Sequence, residues 1–188
     1  MSRTTKLAAV AAASAATVAL TASAATARPP WTGGSISANL TSPLTVSLAN
    51  AQCTSGGLTG SVATGGALSF ATAPISGCSA TGVTNLSVTA ENVTSWGGSL
   101  IESSTPTSTP HTNITGFQLR AVVPGLVNCL YGATVNATTG PYDSSTNTVV
   151  VTFNNAPINK LSASGILSGL CPNTVNFSGG YTFTGPGL

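Results

Sequence analysis

Glu91 and Glu102 stand five and six residues to either side of Trp96. Paired carboxylates beside an indole suit glycoside hydrolysis, in which one acid protonates the leaving oxygen and the other carboxylate acts as base or nucleophile. The odd spacing between the two puts them on opposite faces of a continuous strand, unless the Trp96-Gly97-Gly98 segment turns the chain. A Ser/His/Asp arrangement would have to use His111 and Asp143. His111 follows Pro110 in a polar stretch, a poor seat for a rigid base, and no G-x-S-x-G precedes a helix. Arg120, between Leu119 and Ala121, reads as an outward strand residue paired with Glu91 or Asp143. Lys160 and Asp143 sit in turn-like segments as solubilising charges. No catalytic residue is assigned. Trp96, Glu91, Glu102 and Arg120 are the candidate binding residues.

The other reactive side chains are Cys53, Cys78, Cys129 and Cys171. Four cysteines in an exported chain read as two disulfides, with three pairings open. An internal echo favours one of them. Phe70-Ala71-Thr72-Ala73-Pro74-Ile75 precedes Cys78, and Phe153-Asn154-Asn155-Ala156-Pro157-Ile158 precedes Cys171. Cys53 and Cys129 each lie upstream of one copy, so Cys53–Cys78 and Cys129–Cys171 are expected, one staple per half. No C-x-x-C pair is present and His111 is the single imidazole, so neither a metal site nor another cofactor is expected.

Charge is scarce around these residues. After Ala27 the chain carries three cations (Arg28, Arg120, Lys160) and three anions (Glu91, Glu102, Asp143). Acid–base catalysis, metal ligation and phosphate recognition all draw on side chains this body barely has. Nor does the chain have the basic patch that nucleic acid requires, so no nucleic-acid partner is expected. The N-terminus supplies most of the positive excess and has the layout of a secretory signal: Arg3 and Lys6, the apolar run Leu7–Leu20, then Ala22-Ser23-Ala24 and Ala25-Thr26-Ala27, which both fit a cleavage site, the second favoured. Residues 1–27 are therefore expected to be removed on export. No later stretch is long and apolar enough to span a bilayer as a helix.

Alternation of period two runs through what remains. Leu44, Val46 and Leu48 share a face, as do Leu86, Val88 and Ala90, Leu119, Ala121 and Val123, Tyr131, Ala133, Val135 and Ala137, and Val149, Val151 and Phe153. Val175 and Phe177, then Tyr181 and Phe183, finish the series. Ser, Thr, Asn and Gly mostly fill the other face, as in half-buried strands. Gly33-Gly34, Gly65-Gly66, Gly140-Pro141 and Gly185-Pro186 punctuate them. The expected fold is all-β: one domain over 28–188, an antiparallel sandwich or a Greek-key or jelly-roll-like barrel, with about nine to eleven strands. A Ser/Thr/Pro loop at 103–111 joins two loosely related halves, 28–102 and 112–188. Trp31, beside Pro29-Pro30, reads as part of a flexible tail.

The order of leader, early Cys53, Gly-rich strand ending at Gly77-Cys78, central Trp96, and a second unit from Asn128-Cys129 to Gly169-Leu170-Cys171 resembles a group of small secreted bacterial proteins. The group includes actinobacterial exported proteins and the protein activator of alkane oxidation family. Where that family has Leu-Pro-Trp, this chain has Thr94-Ser95-Trp96. The resemblance implies an extracellular β protein with cell-surface or biofilm-matrix associations, and it transfers no catalytic residue. Two roles follow from the residues themselves. One is a secreted structural or surface protein, adhesin-like, whose partners are copies of itself or envelope components. The other is an extracellular binding module for an apolar or carbohydrate ligand; a hydrolase and a β-barrel pore, whose alternating strands would fit but whose aromatic girdle is missing, are the outside readings.

Overall fold

The computed structural model describes residues 31–101 and 111–188. The proposed signal segment, Arg28, Glu102 and the Ser/Thr/Pro loop to Pro110 lie outside the described residues. His111, grouped with that loop on sequence grounds, opens a strand.

Ten strands form: β1 (Gly34–Val46), β2 (Ala51–Val62), β3 (Ala67–Thr72), β4 (Ile75–Ser79), β5 (Ser87–Ala90), β6 (Gly97–Ile101), β7 (His111–Val123), β8 (Val127–Asp143), β9 (Thr148–Ser164) and β10 (Thr174–Thr184). Every pairing is antiparallel. The order runs β1-β10-β9-β8-β7-β6-β3-β2, and β2 pairs back onto β1, so the sheet closes on itself. β3 and β4 are one strand interrupted at Ala73-Pro74, since both pair with β2. Proline has no N–H to give to a ladder. β5 and β6 both pair with β7 and are likewise one strand, interrupted at Glu91–Trp96. There Asn92 turns left-handed (φ 52°) and a 3-10 turn follows. The ring therefore has eight positions, each next to its sequence neighbours. This is an up-and-down barrel, and its closure gives the all-β expectation a meander connectivity without Greek-key crossings.

The two halves each supply four of these positions. Cys53 is the third residue of β2 and Cys129 the third residue of β8, the second position of each half. The echoed Phe-…-Ala-Pro-Ile segments fall on β3–β4 and β9, the third position of each. Both expected disulfides are present, Cys53–Cys78 and Cys129–Cys171.

Alternation settles which side faces in. Inward residues Leu44, Val46, Leu119, Tyr131, Val135, Val149, Val151, Phe177 and Phe183 are buried, while their Ser, Thr and Asn neighbours are mostly exposed. An eight-stranded barrel is just wide enough to be filled by side chains, and here a train of rings fills it. Phe70, Trp96, Phe117, Phe177, Phe153 and Tyr181 follow one another at centroid distances of 6.2, 4.8, 4.9, 5.1 and 6.3 Å. The residual void among them is about 10 Å³, near the threshold for one water. A membrane barrel puts its apolar band outside and its polar residues inside; this one does the reverse.

Candidate functional site

Strand direction sorts the connections into two ends. At one end lie the β2–β3 turn, the β8–β9 turn and the two ends of the described chain. Trp31 is buried there at 5% exposure, so the expectation of a flexible tail is corrected. Its indole packs under the β2–β3 turn, where Gly66 has φ +88° and an added Cβ would lie 2.9 Å from the ring and 2.5 Å from the Leu100 carbonyl oxygen. The hydroxyl of Tyr142 donates to the Leu188 carbonyl at 3.0 Å, and Thr32 Oγ1 donates to Pro186 O at 3.3 Å. Leu188 is buried. Trp31 and Leu188 plug this end.

At the other end, which carries the β1–β2, β4–β5, β7–β8 and β9–β10 connections, lies an open cavity of about 300 Å³. Three connections contribute to its wall, with Leu48, then Val83 and Leu86, then Leu170, and the facing ends of β7 and β8 add Val123 and Val127. Ala121 and Cys129, both buried, also line it. The connections (residues 47–50, 80–86, 124–126 and 165–173) contain no charged side chain. They are tied pairwise. Thr81 N–H donates to Ala49 O at 3.1 Å, and Leu167 N–H donates to Leu126 O at 2.9 Å. Gly165 (φ +100°) permits the second tie, because a Cβ there would meet the Leu126 carbonyl oxygen at 2.5 Å. The Cys129–Cys171 bridge anchors the long β9–β10 connection to β8, and Lys160 Nζ donates to the Cys171 carbonyl at 3.0 Å.

Around the cavity the chemistry is that of an apolar cleft of the size that takes small molecules. One layer deeper, the Tyr131 hydroxyl is buried without a hydrogen-bond partner, and burial pushes its pKa up. Tyr181, deeper in the ring train, is pushed up to about 12 by desolvation. Both are neutral phenols across the physiological range.

Of the four candidate binding residues, the three that are described, Trp96, Glu91 and Arg120, do not line this cavity. Trp96 is buried at 3%, edge-on to Phe70, and its Nε1–H donates to the Glu91 carbonyl at 2.9 Å. It is a member of the core, inserted by the turn that splits β5 from β6. Glu91 and Arg120 pair on the outer wall, Nε to Oε1 at 3.0 Å, both about a third exposed. Arg120 also donates from Nη1 to Asn128 Oδ1 at 2.9 Å, and Thr89 Oγ1 donates to Glu91 at 3.0 Å. An exposed pair of this kind contributes about 0–1 kcal/mol. Asp143 accepts from Ser145 N–H and Oγ–H at 2.8 and 2.6 Å, which lowers its pKa and caps the β8–β9 turn. Glu102 lies outside the described residues. Among the described residues no three of His, Cys, Asp and Glu gather into a metal-sized group, and no helix is long and apolar enough to cross a membrane.

A second depression, on the outside of β10-β1-β2-β3, is lined by Ser37, Thr59, Ser61, Ser69 and Thr184 among others. Its hydroxyls bond to one another: Ser37 with Thr184 at 3.0 Å, Thr59 with Thr72 at 2.7 Å and Ser61 with Ser69 at 2.8 Å. The aromatic side chain in its lining, Phe70, is buried, so it offers a sugar no exposed ring to stack on.

Sequence reasoning placed Leu48, Leu86 and Val123 on strand faces, passed over Val127 and Leu170, and read none of them as a site residue. For Leu48, Leu86 and Leu170 a signal was available: each sits in an uncharged connecting segment, where polar residues are usual. Comparison with protein-family models, curated proteins and solved structures returns no match.

Proposed function

We propose that this is an exported, non-catalytic binding protein that holds a small apolar ligand in the disulfide-bearing mouth of its barrel. The observation that carries the reading is the uncharged 300 Å³ cavity walled by three connections and the adjoining ends of β7 and β8. The packed interior limits the ligand to the mouth. The two disulfides are compatible with an extracellular location. Titration with the neutral fluorophore 1-aminoanthracene tests it: saturable binding, displaced by a long-chain alcohol, is expected. Leu170→Glu places a charge on the exposed rim and should weaken binding tenfold or more, since the carboxylate must be desolvated beside the ligand. Thr146→Glu, in the β8–β9 turn of the plugged end, should leave it unchanged. Equal behaviour of the two variants would overturn the proposal.

The second reading is a structural subunit of a surface or matrix assembly. The neutral, hydroxyl-rich outer wall favours it. The closed ring counts against edge-to-edge strand association, the route suggested by the scarcity of charged strand residues, because closure removes free edges. Concentration-dependent sedimentation of the protein distinguishes the readings: a monomer throughout removes this one.

A further inference from the structure

Exposed large apolar side chains are distributed unevenly. Of the seven among the described residues, Leu126, Leu161, Ile166, Leu167 and Leu170 belong to the β7–β8 turn and the end of β9 with its following connection. Ile166 is 80% exposed and Leu170 67%, on a connection held in place by Cys129–Cys171 and by the Leu167–Leu126 backbone bond. Solvated polar residues would cost nothing at such positions, and an exposed apolar cluster marks a contact surface.

We propose that this connection docks the barrel mouth on a lipid surface, with Ile166, Leu167, Leu170 and Leu126 entering the region between headgroups and acyl chains. The size of the exposed area selects lipid over a second copy of the chain. The area these four residues leave exposed is on the order of 400 Å², about half the ~800 Å² per partner that a standard protein interface buries. A fluid interface needs no complementary surface, and a few side chains suffice for reversible attachment. The connections at this end also lack charge, so docking does not depend on anionic headgroups. The inference goes beyond the binding reading: a mouth can hold an apolar molecule without touching a membrane, and Ile166 and Leu167 do not line the cavity.

The test places a reporter at each end of the full-length protein. Ile166→Trp and Thr146→Trp are mixed with phosphatidylcholine vesicles containing bromine-labelled lipid. The indole introduced by Ile166→Trp should shift its emission to the blue. It should also be quenched at least threefold more than the indole introduced by Thr146→Trp, equally at low and high salt. Ile166→Ser/Leu167→Ser should lower vesicle affinity at least tenfold while keeping 1-aminoanthracene binding, which separates docking from the mouth site. Equal quenching at both positions would overturn the proposal, as would quenching that requires anionic phosphatidylglycerol. Concentration-dependent dimerisation abolished by the same double substitution, with no vesicle binding, would assign the surface to a second copy instead.

Discussion

The two ends of the barrel are finished in opposite ways. At one, Trp31 and Leu188 fold over the opening and Gly66 lets the β2–β3 turn close on the indole. At the other, four uncharged connections stop short of closing, and a covalent bridge takes the place of packing by holding the β9–β10 connection to β8. A large ring can seal a barrel by burial alone. An opening that must stay open cannot recover that burial energy, and a disulfide stabilises it by restricting the unfolded chain instead. Between the ends, the ring train from Phe70 to Tyr181 leaves no passage, so what happens at one mouth is insulated from the other.

The most severe way to break the contrast is Trp31→Ala. It should cost about 3–5 kcal/mol in urea unfolding, the range for emptying a buried aromatic site, and leave mouth ligands bound once the fold is intact. A loss under about 1 kcal/mol would mean that Trp31 is no plug. Removing the Cys129–Cys171 bridge by a double Ala substitution should cost about 2–4 kcal/mol and, unlike Trp31→Ala, weaken ligand binding even under conditions where the barrel stays folded. Raising the pH examines the wall between the ends. Tyr181 keeps its proton to about 12 in the folded state, whereas the unfolded chain releases it near pH 10. Stability should therefore be flat up to about pH 10 and fall by on the order of 2–3 kcal/mol by pH 12; Tyr181→Phe should remove that part of the decline. The smallest effect belongs to the outer wall. Glu91→Gln should change stability by about 0–1 kcal/mol and leave mouth binding untouched, because the Glu91–Arg120 pair belongs to neither end.

The strands and their burial are legible in the sequence because period-two alternation is a local property: each of Val149, Val151 and Phe153 reports its own face. The disulfide pairing is legible because the chain echoes itself, and the ring places the echoed segments at matching positions. Closure is not legible, since the β1–β10 pairing, Ser37 opposite Thr184, joins residues at the two ends of the described chain. Trp31 reads as a tail for the same reason: its burial depends on Gly66 and the far end of β10. The chemistry-bearing residues stand out by type, but Trp96 goes to the core and Glu91 to a surface pair. The cavity assembles from residues that no motif unites, three connections separated by whole strands and the adjoining ends of β7 and β8.

The most direct test of an open, apolar, ligand-holding mouth is 1-aminoanthracene titration of the wild-type protein beside Leu170→Glu and Thr146→Glu. Saturable binding to the wild type and to Thr146→Glu, weakened tenfold or more in Leu170→Glu, is the expected result. Absence of saturable binding, or binding that all three proteins share equally, would contradict it.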